Sequence, residues 1–169
     1  MRWLIDGYNV IRRSPELSSR EMVSLEAGRQ ALCELLSATA RASGDAFTVV
    51  FDGAGSGGTA SGGPGVSVVF SSARESADRV LMRLARHGGA VVSNDREVRQ
   101  SVARAGAVVV TTDEFLARLG TQGREPDADP DPDEAEPQRG PRKGNPRRLG
   151  KKARAARRAL GRLGPGRLP

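Results

Sequence analysis

Long apolar runs, soft metal ligands and aromatic rings are all scarce in this 169-residue chain, which has one cysteine, one histidine, one tryptophan, one tyrosine and four phenylalanines. The single thiol, Cys33, excludes an intramolecular disulfide and suits a reducing cytoplasm. It falls within the apolar pattern of Leu32, Leu35 and Leu36, which predicts a packed thiol and not a reactive one. His87 stands alone before Gly88-Gly89, where a helix terminus favours a cation, and needs no catalytic role. The opening Trp3-Leu4-Ile5 is too short a run for a signal peptide, and no stretch is long enough to span a bilayer. The expectation is a soluble cytoplasmic protein with no membrane partner. There is no Gly-Lys-Ser or Gly-Lys-Thr, so a P-loop is excluded. Gly53-Ala54-Gly55-Ser56-Gly57-Gly58 has the spacing of a dinucleotide fingerprint but leads into more Gly and Ser and then a strand. With no helix N-terminus to hold a pyrophosphate, no nucleotide cofactor is expected. The segment reads as a substrate-contacting loop or a mobile linker.

Charge is present but unevenly placed. Residues 1–120 hold 14 Arg, no Lys and 13 acids, which nearly cancel, together with almost all the large apolar side chains. Residues 121–138 hold seven acids against one Arg, and residues 139–169 hold 12 Lys plus Arg and no acid. The net charge of +7 therefore belongs to the end of the chain. The composition predicts one modest domain over 1–120 and a disordered tail over 121–169, acidic at 125–136 and basic at 139–169. Lys151 to Leu163 could form a helix, but a nearly all-round basic one.

Within 1–120, five short apolar runs predict strands: Trp3-Leu4-Ile5, Phe47 to Phe51, Val66 to Phe70, Ala90-Val91-Val92, and Ala107 to Val110. Ser18 and Glu21 have capping-box spacing and open a helical pattern through Met22, Leu25, Leu32 and Leu36 to Gly44. Asp6-Gly7-Tyr8-Asn9 reads as the exit loop of the first strand. Further helices are expected at 77–87, at 95–105 and from Asp113 to Leu119, the last capped by Thr111 or Thr112. Helices alternating with continuous apolar strands indicate an α/β fold, a parallel sheet covered on both faces. Between the second and third strands no helical pattern exists, which leaves an irregular crossover or a hairpin open.

The acids fall at the ends of strands. Asp6, Asp52 and Asp95 each follow an apolar run, at the sheet edge where α/β folds bind ligands. Asp78 opens its helix and points to the same edge, with Glu75 one turn earlier. Each could be a cap or first-turn acid by itself. Together they form a repelling carboxylate group that a hard cation would relieve, and oxygen ligands favour Mg²⁺ or Mn²⁺ over zinc. Such a group is how many nucleases activate water and steady a departing oxygen. An aspartyl-phosphate phosphatase would want an acid two residues after Asp6, where Tyr8 stands. Asp113 and Glu114 read as first-turn acids of the last helix, outside the group.

Leu4-Ile5-Asp6-Gly7-Tyr8-Asn9-Val10-Ile11, Val49-Val50-Phe51-Asp52, Glu75-Ser76-Ala77-Asp78 and Val92-Ser93-Asn94-Asp95 occur in that order. The set resembles the YacP-like branch of the NYN domains, which belong to the PIN-like nucleases; the likeness covers about residues 2–119. The resemblance implies a three-layer PIN-like domain with a mostly parallel five-stranded sheet and metal-dependent endoribonuclease activity. Some relatives act on messenger RNA at the ribosome. By position it makes Asp6 the central metal ligand, Asp78 and Asp95 the other metal-site acids, Asn9 an orienting neighbour and Asp52 a supporting acid. The Gly-rich stretch after Asp52 departs from the more varied loop of relatives.

The expectation is hydrolysis of RNA phosphodiester bonds with Mg²⁺ or Mn²⁺; the alternative is a non-catalytic RNA- or ribosome-binding protein. A small-molecule phosphohydrolase would leave the basic tail without a purpose. Arg142, Lys143, Arg147, Arg148, Lys151, Lys152, Arg154, Arg157 and Arg158 are the candidate contacts to RNA, messenger or ribosomal. No aromatic residue is interleaved there, so phosphate contacts would dominate over base stacking.

Overall fold

The computed structural model of the chain describes residues 1–53, 57–120 and 150–163. The elements are β1 (Arg2–Asp6), α1 (Gly7–Arg13), α2 (Pro15–Val23), α3 (Leu25–Ser43), β2 (Ala46–Phe51), β3 (Gly58–Ser61), β4 (Val66–Phe70), α4 (Ala77–Ala85), β5 (Ala90–Val92), α5 (Arg96–Arg104), β6 (Val108–Val110), α6 (Thr112–Leu119) and α7 (Lys151–Arg162). They build one sheet in the order β3-β4-β2-β1-β5-β6. β1 pairs in parallel with β2 and β5, as do β2 with β4 and β5 with β6. Only β3 runs antiparallel, against β4.

Continuous apolar strands are buried on both faces, as a parallel sheet requires. Trp3, Ile5, Phe47, Val49 and Phe51 pack with side chains of α1, α2, α3, α6 and α7. Leu4, Val50 and Val91 meet Val80 and Leu81 of α4 and Val98 and Val102 of α5 on the other face. The result is the expected three-layer α/β fold, with six strands and not five. The joint that the sequence leaves open is a crossover, since β2 and β4 pair in parallel. Within it lies the sixth strand, β3, a short, wholly exposed edge strand of Gly, Thr, Ala and Ser that runs antiparallel to β4. Nothing apolar marks it, so no burial pattern announces it.

The first helical stretch also differs from expectation. Gly7-Tyr8-Asn9 is not an exit loop, because α1 starts at Gly7 with Asp6 as its cap. Ser18 does not cap; Ser14 does, before Pro15 at the first helical position. Ser24 then caps α3, which runs to Gly44 at φ 71°, in the left-handed region that favours glycine. Two closely spaced serine caps thus divide one periodic pattern into separate helices. Met22 and Leu25, taken as core positions, are exposed at the junction.

The expected disorder of 121–169 does not hold for 151–163. α7 docks on the domain, burying Ala156, Ala159 and Leu163 in the same cluster as Val110, Phe115, Leu116 and Leu119. Arg118 Nε donates to the Leu160 carbonyl at 3.0 Å. Residues 121–149, including Arg142, Lys143, Arg147 and Arg148, lie outside the described residues. No helix among the described residues is long and apolar enough to cross a membrane.

Docking of α7 can be weighed by mutation. Leu163→Ala should lower unfolding free energy in urea by roughly 2 kcal/mol, the low end for a buried leucine because it sits at a helix terminus. Removing residues after Gly120 should cost more, by exposing the α6 and β6 surface that α7 covers. Unchanged stability in both variants would show that α7 does not pack there.

Candidate active site

β1 leads into α1–α3 on one face of the sheet and β5 leads into α5 on the other. The crevice therefore opens between the carboxyl ends of β1 and β5. Asp6 ends β1 at that point. Ser93, buried at the end of β5, donates its hydroxyl to Asp6 Oδ2 at 2.9 Å. The other oxygen, Oδ1, accepts the Asn9 N–H at 3.3 Å as the cap of α1. Asp95 takes the next place along: its N–H donates to Ser93 Oγ at 3.0 Å, and its Oδ1 accepts the Val98 N–H at 2.9 Å as the cap of α5. Asp78 lies in the first turn of α4, whose cap is Ser76. The local reading of Asp95 as a cap and Asp78 as a first-turn acid is thus correct, and these roles are also what aim both at one edge.

The electrostatics link them. Burial pushes the Asp6 carboxyl above the ordinary carboxylate range; the hydrogen bonds from Ser93 and Asn9 oppose this, and the charges of Asp78 and Asp95 add to it. The Asp78 carboxyl is also raised, first by burial and then by Asp95, Asp52 and Glu97. Asp6, Asp52, Asp78 and Asp95 therefore share one field, and Glu97, unremarked in the sequence, joins it. Glu75 does not: both its oxygens accept from Arg83, Nε and Nη each at 2.9 Å. Asp52 also accepts from the Ser71 hydroxyl.

Asn9 anchors the frame behind the acids. Its Oδ1 accepts the Thr112 hydroxyl at 2.6 Å and the Asn94 N–H at 3.2 Å. Asn94 in turn accepts the Thr112 N–H at 2.9 Å and donates to Asp113 at 2.9 Å. Asp113 also accepts from Arg13 Nε at 2.7 Å. It is a first-turn acid of α6 as expected, yet it closes a network that reaches Asn9. Ser93 and Asn94 were given no role of their own in the sequence, and Thr112 only that of an alternative cap to Thr111, which is the cap observed. Ser93 could have been noticed as a small polar residue directly after an apolar strand.

The donor chemistry fits a hard divalent cation: carboxylate oxygens only, two of them with pKa values raised first by burial and then by the neighbouring carboxylates. Among the described residues no group of three or more His, Cys, Asp or Glu side chains stands together so as to hold a metal ion. Mg²⁺ commonly binds through one or two carboxylates, several waters and substrate phosphate, so an open arrangement suits it better than it suits zinc.

Comparison with known proteins gives the same fold. The model of the YacP-like NYN domain matches residues 3–154. The crystal structure of Rae1 (YacP) from Bacillus subtilis is similar at a TM-score of 0.59 and 26% identity, covering 72% of this chain and 74% of that one. A single-substitution variant of the same protein gives 0.61 and 25%, covering 71% and 75%. No curated protein matches the chain.

The raised Asp6 pKa sets a sign for stability. Between its unfolded and folded values the folded state holds the extra proton, so this group's contribution falls as pH rises through that window. In metal-free buffer Asp6→Asn should therefore gain on the order of 1 kcal/mol or less at neutral pH, and the gain should vanish below the ordinary carboxylate range. Asp113 is the opposite case: burial resists its ionisation, but hydrogen bonds from Arg13 and Asn94 and the Arg13 charge outweigh it and lower its pKa. Its stabilisation is present above the unfolded value and is lost as pH falls through the folded one. Asp113→Asn should lose less than about 1 kcal/mol at neutral pH, the pair being partly exposed. Urea unfolding at the two pH values measures both. A neutral-pH loss in Asp6→Asn would mean that its hydrogen bonds outweigh burial and repulsion.

Proposed function

We propose that this chain, which belongs to the YacP-like NYN domain family of PIN-like nucleases, is a metal-dependent endoribonuclease that hydrolyses RNA phosphodiester bonds. The observation that carries the reading is the shared field of Asp6, Asp78 and Asp95 at the sheet's switch point. A binder of RNA has no use for repelling carboxylates facing a polyanion, whereas a phosphoryl-transfer site does.

In this reading Asp6, Asp78 and Asp95 hold Mg²⁺ or Mn²⁺. The ion, when bound, supplies Lewis acidity at the phosphate and offsets charge on the departing oxygen. The residues of the chain supply position. Ser93 and the Asn9 N–H fix the rotamer of Asp6, and the capping bond from the Val98 N–H holds Asp95 through Oδ1. Asn9 holds α1, the end of β5 and α6 in one frame, so it positions the acids and does not itself react. Asp52 adds negative charge beside Asp78.

The catalytic domain in this reading extends beyond 1–120 to include α7. Lys151, Lys152, Arg154, Arg157 and Arg158 are exposed on that helix and, with the cations of 139–149, supply phosphate contacts. Messenger or ribosomal RNA in the cytoplasm, with the ribosome as the place of action, is the target class that family and charge together support.

A second reading, a non-catalytic RNA- or ribosome-binding protein, is favoured by one observation: no metal-holding group of three is formed among the described residues. Incubation of the full chain with mixed RNA distinguishes the two. Cleavage should appear with Mn²⁺ or Mg²⁺, be weak with Zn²⁺ and stop with EDTA. Asp6→Asn should abolish it while remaining folded, and Asp78→Asn or Asp95→Asn should reduce it without additivity, since the three act as a unit. Binding without cleavage under every divalent ion would favour the second reading, and full cleavage by Asp6→Asn would remove the site.

A further inference from the structure

Arg29 occupies a setting that the acid site does not explain. It is half-buried in the second turn of α3, and its guanidinium carbon lies 5.3 Å from the Phe70 ring centroid, 5.4 Å from Tyr8 and 5.5 Å from Phe51. Nε donates to the Tyr8 hydroxyl at 2.9 Å, and Nη2 donates to the same oxygen. The ion pairs of Arg12, Arg13, Arg83 and the N-terminus do not include Arg29. Its Nη1 takes no part in the Tyr8 bonds.

The three rings lie on the acid edge of the sheet. Tyr8 is two residues past Asp6, Phe51 directly precedes Asp52, and Phe70 is the register partner of Phe51 in β4. Tyr8 meets Phe51 edge-on at 5.2 Å and Phe51 stacks on Phe70 at 6.0 Å, so the platform follows the ends of β1, β2 and β4. Gly7 makes this approach feasible: a Cβ there would stand 2.3 Å from the Phe51 ring.

From this geometry we infer that Arg29 is a phosphate-binding residue for the RNA strand, flanking the bond that the acids address; the inference rests on the ribonuclease reading above. A guanidinium steadied by aromatic faces keeps its whole charge available, whereas a carboxylate partner would cancel it and repel RNA. Its planar fork, held by Tyr8 on one side, leaves a donor edge for phosphate oxygens. Had Arg29 only to hold α3 on the sheet, an apolar side chain would serve without the cost of burying an unpaired charge. Arg12 also stands 5.1 Å from the Tyr8 ring, but it is paired with Glu21 and so does not offer the same free charge.

The test is binding of a fluorescent single-stranded RNA to the full chain in EDTA across a salt series, with cleavage kinetics in Mn²⁺ alongside. Arg29→Gln should weaken binding on the order of tenfold, the worth of a charge-assisted hydrogen bond, and should flatten the log–log salt slope by roughly 0.7, one phosphate contact on a single strand. Cleavage should show a raised KM with kcat little changed. Arg29→Lys should keep the salt slope and lose part of the affinity, which guards against misreading a folding defect. Arg41→Gln, an exposed change of equal charge at the far end of α3, should leave the slope alone. Wild-type cleavage with an unchanged slope and KM in Arg29→Gln would overturn this inference and leave the ribonuclease standing. A wild-type chain that neither binds nor cleaves RNA would overturn both.

Discussion

The bond from the Ser93 hydroxyl to the Asp6 carboxylate joins the ends of two neighbouring parallel strands at the point where the winding order of the sheet reverses. β1 is the central strand, buried on both faces, so its last residue is delivered to the crevice with little freedom. A carboxylate there loses much of its hydration, which favours its neutral form. Two donors offset part of that cost and fix which way the oxygens face. Because one of the donors is the first turn of α1, the same residue that bears the charge also launches the helix beside it.

Rigidity around Asp6 comes from short polar contacts and close packing together. Asn9 receives donors from β5's exit and from α6, elements far apart in sequence. Its neighbour Gly7 has no room for a Cβ, since Phe51 lies against it. The stretch Asp6-Gly7-Tyr8-Asn9 thus combines a charge, a close approach, a ring and an anchoring amide in four consecutive residues. Each is required by a different neighbour: β5, β2, Arg29 and α6. Acid and aromatic edges are therefore coupled through one turn of α1.

The basic end of the chain is part of this architecture for at least one helix. α7 covers β6 and α6 through alanines and two leucines, Leu160 and Leu163, leaving its lysines and arginines outward. A positive face is thereby held at the sheet margin next to β6, while Arg29 brings positive charge to the other flank of the crevice. Repelling carboxylates between two cationic margins would confine a polyanion to the acids, since the margins attract it and the centre accepts it only with a counter-ion.

Sequence by itself determined what depends on neighbours a few residues away. Continuous runs such as Trp3-Leu4-Ile5 and Val49-Val50-Phe51 demanded burial on two faces, and that requirement, with the helical spacing of Val80, Leu81 and Leu84, was enough for the layered α/β class. Acids placed just beyond those runs pointed to one edge of the sheet. Tertiary structure alone decided who meets whom across that edge. Strand order put β1 beside β5, so Asp6 met Ser93, while Glu75 turned to Arg83 and left the group. Arg13 and Asn94 drew Asp113 into the frame from 100 and 19 residues away. β3 escaped sequence reading, and α7 was read as a basic helix but not as a docked one, because Gly, Ala and Ser carry little apolar signal; their place was set by a free strand edge at β4 and by the apolar surface of α6 and β6 that α7 covers.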